Sequence, residues 1–145
     1  MRRKNSAFTL AEMMTVVGIM ALLTAIATPQ FMGSYQRSKE NSLKSDLTVV
    51  RAAVQMFYQD TGTYPNALTD LTVTTAPING KSRTGSTVSI TAIDWRGPYI
   101  VTLPKDPISD QEFTYFTTTS GANLVGTVRS SMTGNDSTGI AFSTY

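Results

Sequence analysis

Glu12 is the side chain whose chemistry most needs an explanation. It opens a stretch, Met13 to Gln36, of 24 residues with no charged side chain. As a helix that stretch reaches about 36 Å, enough for a hydrocarbon core of roughly 30 Å. An ionised carboxylate at the end of a membrane span is costly, so its presence asks for a partner or a function; the plainer alternative is a carboxylate at headgroup level reaching back to water. Little other chemistry is on offer. Cysteine and histidine are both absent, which excludes disulfides, thiolate metal sites, His-based acid/base catalysis and Ser-His-Asp or Cys-His pairs. Nothing among the Ser, Lys and Asp residues pairs a nucleophile with a base at suggestive spacing, so a membrane-anchored enzyme is disfavoured.

The elements that must position Glu12 follow from periodicity. From Leu43 the apolar residues run Leu43, Leu47, Val50, Val54 and Phe57, a 4-3-4-3 spacing that marks one helix face. With no Gly or Pro between Ser34 and Asp60, the pattern predicts one helix from Thr9 to Gln59. Pro29 removes the amide that would bond the carbonyl of Ala25, and Gly33 adds backbone freedom, so Ala25 to Gly33 is the expected helix break. Gly62 and Pro65 end the helix. Beyond it, Thr72 to Thr91 reads as a surface loop with a turn at Pro77-Ile78-Asn79-Gly80 and a short strand near Thr87-Ile90. Three further strands are expected at Phe113–Thr118, Asn123–Arg129 and Gly139–Ser143. The fold class is therefore α+β: a long N-terminal helix, membrane-spanning in its first half, and a small antiparallel β-sheet head laid on the stripe.

Charge gives the orientation. Three of the twelve basic residues lie in Arg2-Arg3-Lys4; without them nine basic face ten acidic side chains. A head so near neutrality argues against strong nucleic-acid binding. The basic cluster is a positive-inside signal that holds the N-terminus in the cytoplasm and the head outside. An ordinary signal peptide cut at Ala25-Ile26-Ala27 also fits the pattern, but it leaves unexplained both the carboxylate ahead of the apolar run and the periodicity that continues past the cut.

The run Ala7-Phe8-Thr9-Leu10-Ala11-Glu12 resembles the prepilin leader and first helix of the type IV filament family, which includes type IV pilins and type II secretion pseudopilins. That resemblance implies cleavage between Ala7 and Phe8 by a membrane prepilin peptidase, N-methylation of Phe8, and assembly through Phe8 and Glu12. The domain boundaries become 1–7 for the leader, 8–30 for the transmembrane and filament-core helix, and 31–145 for the head. Ala7 and Ala11 stand where the family has Gly and Ile or Val; alanine is small enough to keep cleavage. The new ammonium at Phe8 needs an anion in low dielectric, and Glu12 is the one nearby. Pairing within one chain is possible at one helical turn; pairing with the next subunit would register each protomer as it joins, and is favoured.

Asp60-Thr61-Gly62-Thr63-Tyr64-Pro65, Trp95-Arg96-Gly97-Pro98-Tyr99 and Leu103-Pro104-Lys105-Asp106-Pro107 are similar to head segments of the major type II secretion pseudopilin. Core packing is the favoured role for Trp95 and Tyr99, ahead of partner binding. The resemblance implies a homo-oligomeric filament in the bacterial inner membrane, single-pass, with an assembly platform and minor pilins or pseudopilins as partners. It further implies a role in protein secretion, with a type IV pilin for adhesion, motility or DNA uptake as the alternative. The family's calcium loop, built on S-x-G-x-D, corresponds to Ser131–Ser137, which carries one residue too many between Ser and Gly. Asn135 and Asp136 supply oxygen ligands for calcium, but a hard cation wants six or more, so a polar turn without cofactor is preferred.

Overall fold

The computed structural model describes residues 9–145. A single helix, α1, runs Leu10–Thr61, and the chain divides into two compact units, Met1–Ser38 and Lys39–Tyr145. Helix α1 starts because Thr9-Leu10-Ala11-Glu12 is a capping box, in which the first and fourth side chains satisfy each other's free amides. It stops at Gly62, whose φ of 68° is the left-handed conformation a helix end favours and whose N–H donates to the Tyr58 carbonyl at 2.8 Å.

In the first unit every described residue except Ala27 is exposed. Leu10, Met14, Val17, Leu22, Ile26 and Phe31 all present their side chains outward. The break expected at Pro29 and Gly33 is absent in this state: α1 continues through both. Hydroxyls along the same stretch donate to the preceding turn, Thr24 to Met20, Thr28 to Thr24 and Ser34 to Gln30, at 2.8, 2.8 and 3.1 Å. Pro29 still lacks the amide that would bond the Ala25 carbonyl and crowds that carbonyl, a cost that a long helix tolerates.

The second unit is the α+β head. The predicted stripe is its core: Leu43, Leu47, Val50, Val54 and Phe57 are buried, joined by Ala53. Leu68 and Leu71, on a 3-10 turn at Leu68–Leu71, pack with them, as do Phe113, Val128 and Phe142. Two antiparallel ladders flank this core. Strands β1 (Asn79–Lys81) and β2 (Thr87–Ser89) pair with Gly80 opposite Val88; β3 (Thr114–Tyr115) and β4 (Val128–Arg129) pair with Tyr115 opposite Val128.

Three details differ from expectation. The strands expected at Phe113–Thr118 and Asn123–Arg129 are reduced to the two-residue pairs Thr114–Tyr115 and Val128–Arg129. Asn79 and Gly80 belong to β1, and the turn falls instead at Ser82 to Ser86, where the Ser82 hydroxyl accepts the amides of Thr84 and Ser86 at 3.3 and 3.1 Å. The strand expected at Gly139–Ser143 is an isolated bridge, Asn135 to Ala141, followed by a 3-10 turn at Phe142–Thr144. One of its amides is diverted: the Asp136 carboxylate accepts the N–H of Ile140 at 2.9 Å, along with that of Thr138 just before the segment at 2.8 Å, and a side chain that bonds nearby backbone competes with a ladder.

Trp95 and Tyr99 pack against the core. The Tyr99 ring lies 5.5 Å from that of Phe57 and meets Trp95 edge-on at 6.3 Å. Gly97 between them has no room for a side chain, since a Cβ would come within 2.6 Å of the Trp95 ring. The Tyr99 hydroxyl donates to Asp60 at 2.9 Å, and burial raises its pKa. Asp106 of the Leu-Pro-x-Asp-Pro segment is buried, accepting the amides of Ile108 and Ser109 at 2.9 and 3.2 Å and the Ser130 hydroxyl. These motifs are therefore structural in the head.

Candidate assembly site

The N-terminal end of α1 holds the one carboxylate of its apolar stretch in a defined position. The Thr9 N–H donates to Glu12 Oε2 at 2.8 Å, and the Thr9 hydroxyl donates to the same oxygen at 3.0 Å. In return the Glu12 N–H donates to Thr9 Oγ1 at 3.2 Å. Both bonds to the carboxylate converge on Oε2, which turns the group back toward the start of the helix, where Phe8 precedes Thr9 in sequence. Negative charge here also complements the helix dipole. Ala7 and Phe8, the expected cleavage pair, lie outside the described residues.

Around this turn Leu10, Met13, Met14, Val17 and Gly18 line a shallow, almost wholly apolar groove. Helix α1 is long and apolar enough to cross a membrane, and the apolar window is entirely unburied by the protein itself. Glu12 and this surface thus sit on one continuous turn-by-turn scaffold: a carboxylate fixed at one end of an apolar rod. Such an arrangement can accept a cationic group in low dielectric while neighbouring helices cover the apolar faces.

The prokaryotic N-terminal methylation motif matches residues 2–28, and the family described as type II secretion system (T2SS), protein G matches residues 30–138. The chain belongs to the T2SS protein G family. It is 31% identical over 107 residues to type II secretion system core protein G of Vibrio cholerae, covering 72% of this chain and 66% of that protein. The corresponding protein of Aeromonas hydrophila is 29% identical over 111 residues, 73% of this chain and 69% of its own length. The type IV major pilin protein PilA of Myxococcus xanthus is 35% identical over 91 residues, 63% of this chain and 40% of that pilin. These matches span 40% to 69% of the relatives' own lengths. No solved structure matches the chain.

Among the other residues singled out in the sequence, Pro29 and Gly33 sit within the exposed part of α1. Asn135 is exposed and forms the bridge to Ala141, while its neighbour Asp136 is buried. In the head several long-range contacts had no obvious signal in the sequence. Arg51 donates from Nε and Nη2 to the Val128 carbonyl at 3.1 and 2.7 Å, tying α1 to β4. Glu40 is buried and accepts both the N–H and the hydroxyl of Ser137, at 2.9 and 2.5 Å. The Thr9 cap was also missed, although Thr-x-x-Glu before an apolar run is a helix-start signature that could have found it.

Proposed function

We propose that this chain is the structural subunit of a type IV-like filament serving type II protein secretion. It is inserted in the bacterial inner membrane through the first half of α1, with Arg2-Arg3-Lys4 on the cytoplasmic side and Lys39–Tyr145 on the other. A prepilin peptidase cuts between Ala7 and Phe8, and Phe8 is N-methylated. The observation that carries this reading is the carboxylate of Glu12, oriented by Thr9 at the end of an exposed apolar helix. In the filament the Glu12 carboxylate pairs with the new ammonium of an adjoining subunit, and the apolar faces exchange lipid for neighbouring helices. The chain works by packing, without cofactor and without catalysis, alongside an assembly platform and minor pseudopilins.

Intact-mass and N-terminal analysis of protein from the native membrane tests this. The expected chain begins at Phe8 and carries one added methyl group. A terminus at Thr28, after Ala25-Ile26-Ala27, would overturn the filament reading in favour of a released, monomeric protein. The match to the Myxococcus xanthus major pilin favours a second reading, a surface pilus. Deleting the gene separates the two: loss of secreted protein with motility intact supports the first, and the reverse supports the second.

A further inference from the structure

In the head, a lysine ammonium stands where the resemblance would put a metal ion. Asp136 is buried, and its Oδ1 accepts three donors: the amides of Thr138 and Ile140 at 2.8 and 2.9 Å and the Thr138 hydroxyl at 2.7 Å. Its Oδ2 accepts the Tyr145 hydroxyl and lies 3.8 Å from Lys44 Nζ. The same ammonium sits 4.6 Å from the centre of the Tyr145 ring, a cation over an aromatic face. One turn earlier on α1, Glu40 holds the next residue of the loop, Ser137, through both its amide and its hydroxyl.

A calcium ion needs six to eight oxygens at about 2.3 to 2.6 Å. To take one, Asp136 would have to give up its amide and hydroxyl donors, and Lys44 would have to leave, because two cations so close on one carboxylate repel. Asn135 is the neighbouring side-chain oxygen ligand, and among the described residues no three acidic, His or Cys side chains gather as a metal group. The residues present do not fit the ion.

We infer that Lys44 supplies, as a permanent part of the fold, the positive charge that calcium would otherwise bring to the 133–140 loop, so that the head holds this loop without a metal. Lys44 reaches the loop from α1, Tyr145 closes it from the C-terminal end, and Glu40 fixes its far shoulder. The ionised forms support each other: the Tyr145 hydroxyl, then Asp136 and Glu40, raise the pKa of Lys44, and the hydrogen bonds to Asp136 hold its carboxyl well below the usual range.

Thermal unfolding of the full chain in detergent micelles tests the inference whether or not the chain assembles. The wild-type midpoint is expected to be the same in EGTA and in millimolar calcium chloride. A head that requires calcium would gain about 10 to 20 °C at a hundredfold excess over its Kd, and such a gain overturns the proposal. Lys44→Met, which keeps the aliphatic stem and removes the charge, should lower the midpoint by about 4 to 8 °C in both media. Lys44→Arg should recover more than half of that loss. An unchanged midpoint for Lys44→Met would also overturn the proposal. Should that variant not fold, the wild-type calcium comparison decides alone.

Discussion

The two halves of α1 are equally helical and put their apolar residues to opposite uses. Up to Ser38 apolar side chains surround the helix and nearly all are exposed; from Leu43 they keep to one stripe and are buried by the chain's own head. Each buried Leu, Val or Phe of the stripe contributes about 1.5 to 3 kcal/mol before entropy is counted. The upper half gains nothing comparable within its own chain, and in the proposed filament lipid and neighbouring helices would cover it. The carboxylates repeat the contrast. Glu12 is held by Thr9 in its own turn, whereas Glu40 is held by Ser137 from the far end of the sequence. One half of the helix is finished by folding; under the proposed function the other is finished by assembly.

The largest expected effect tests the unfinished half. Glu12→Ala should leave the chain in the membrane fraction but cut filament yield by roughly two orders of magnitude, because the ammonium of Phe8 would be buried unpaired. Thr9→Ala is the control, removing the cap while keeping the carboxylate, and should cost much less. Filaments sedimented from sheared cells are the measurement, and equal losses for the two variants would reduce Glu12 to a capping residue.

Phe57→Ala tests the finished half. With the side chain fully buried, its removal should destabilise the head by about 3 to 5 kcal/mol, read as a lower midpoint in thermal unfolding, with membrane retention intact. Leu22→Ala, at an exposed position, should shift the same midpoint by less than about 0.5 kcal/mol yet weaken assembly. If both variants moved head stability alike, the division between the halves would be wrong.

What could be seen in the sequence follows the same division. The stripe Leu43 to Phe57 and the stop at Gly62 are local patterns, each contained in a few turns, and each is found as expected; the Thr-x-x-Glu cap is just as local but was not among the expectations. Strand β1 was hidden because Asn79-Gly80-Lys81 looks like a turn until Thr87–Ser89 is there to pair with it. The bridge at Ala141 replaced a strand because Asp136 captures amides locally, an outcome that depends on side-chain geometry rather than on alternation. The joining of Glu40 and Lys44 to a loop more than ninety residues away leaves no periodic trace. For Glu12 the sequence singled out the residue and the family resemblance implies the role proposed for it, while the orientation imposed by Thr9 needed coordinates.

Pro29 lies in the unfinished half, where the helix holds without tertiary support. Replacing it by Ala restores the amide to the Ala25 carbonyl and removes a penalty of up to about 3 kcal/mol. Amide exchange between Ala25 and Gly33 should slow by up to roughly a hundredfold, and filaments of Pro29→Ala should extend less under force. Exchange that is already slow in the wild type, and unchanged by the substitution, would show that Pro29 does not weaken the helix.

The smallest effect separates the halves by pH. The Tyr145 hydroxyl, then the Thr138 hydroxyl and the amides of Ile140 and Thr138, lower the pKa of Asp136 in the folded head. A depressed folded pKa means that the contribution is fully present above the unfolded value, near 3.9, and is lost as pH falls below it toward the folded value. The thermal midpoint should therefore hold from neutrality down to about pH 5 and decline below about pH 4. Glu40 faces the same loop and Lys44 the same carboxylate, so the wild-type decline is shared. Asp136→Asn isolates the part due to this residue: it should lower the midpoint at pH 7 and make the acid decline shallower, so that the two curves converge as pH falls. Parallel curves would assign the acid sensitivity to other carboxylates. Because Asp136 and all its partners lie in Lys39–Tyr145, the convergence should appear in the same form with Leu22→Ala in the background, leaving the upper half of α1 out of the titration.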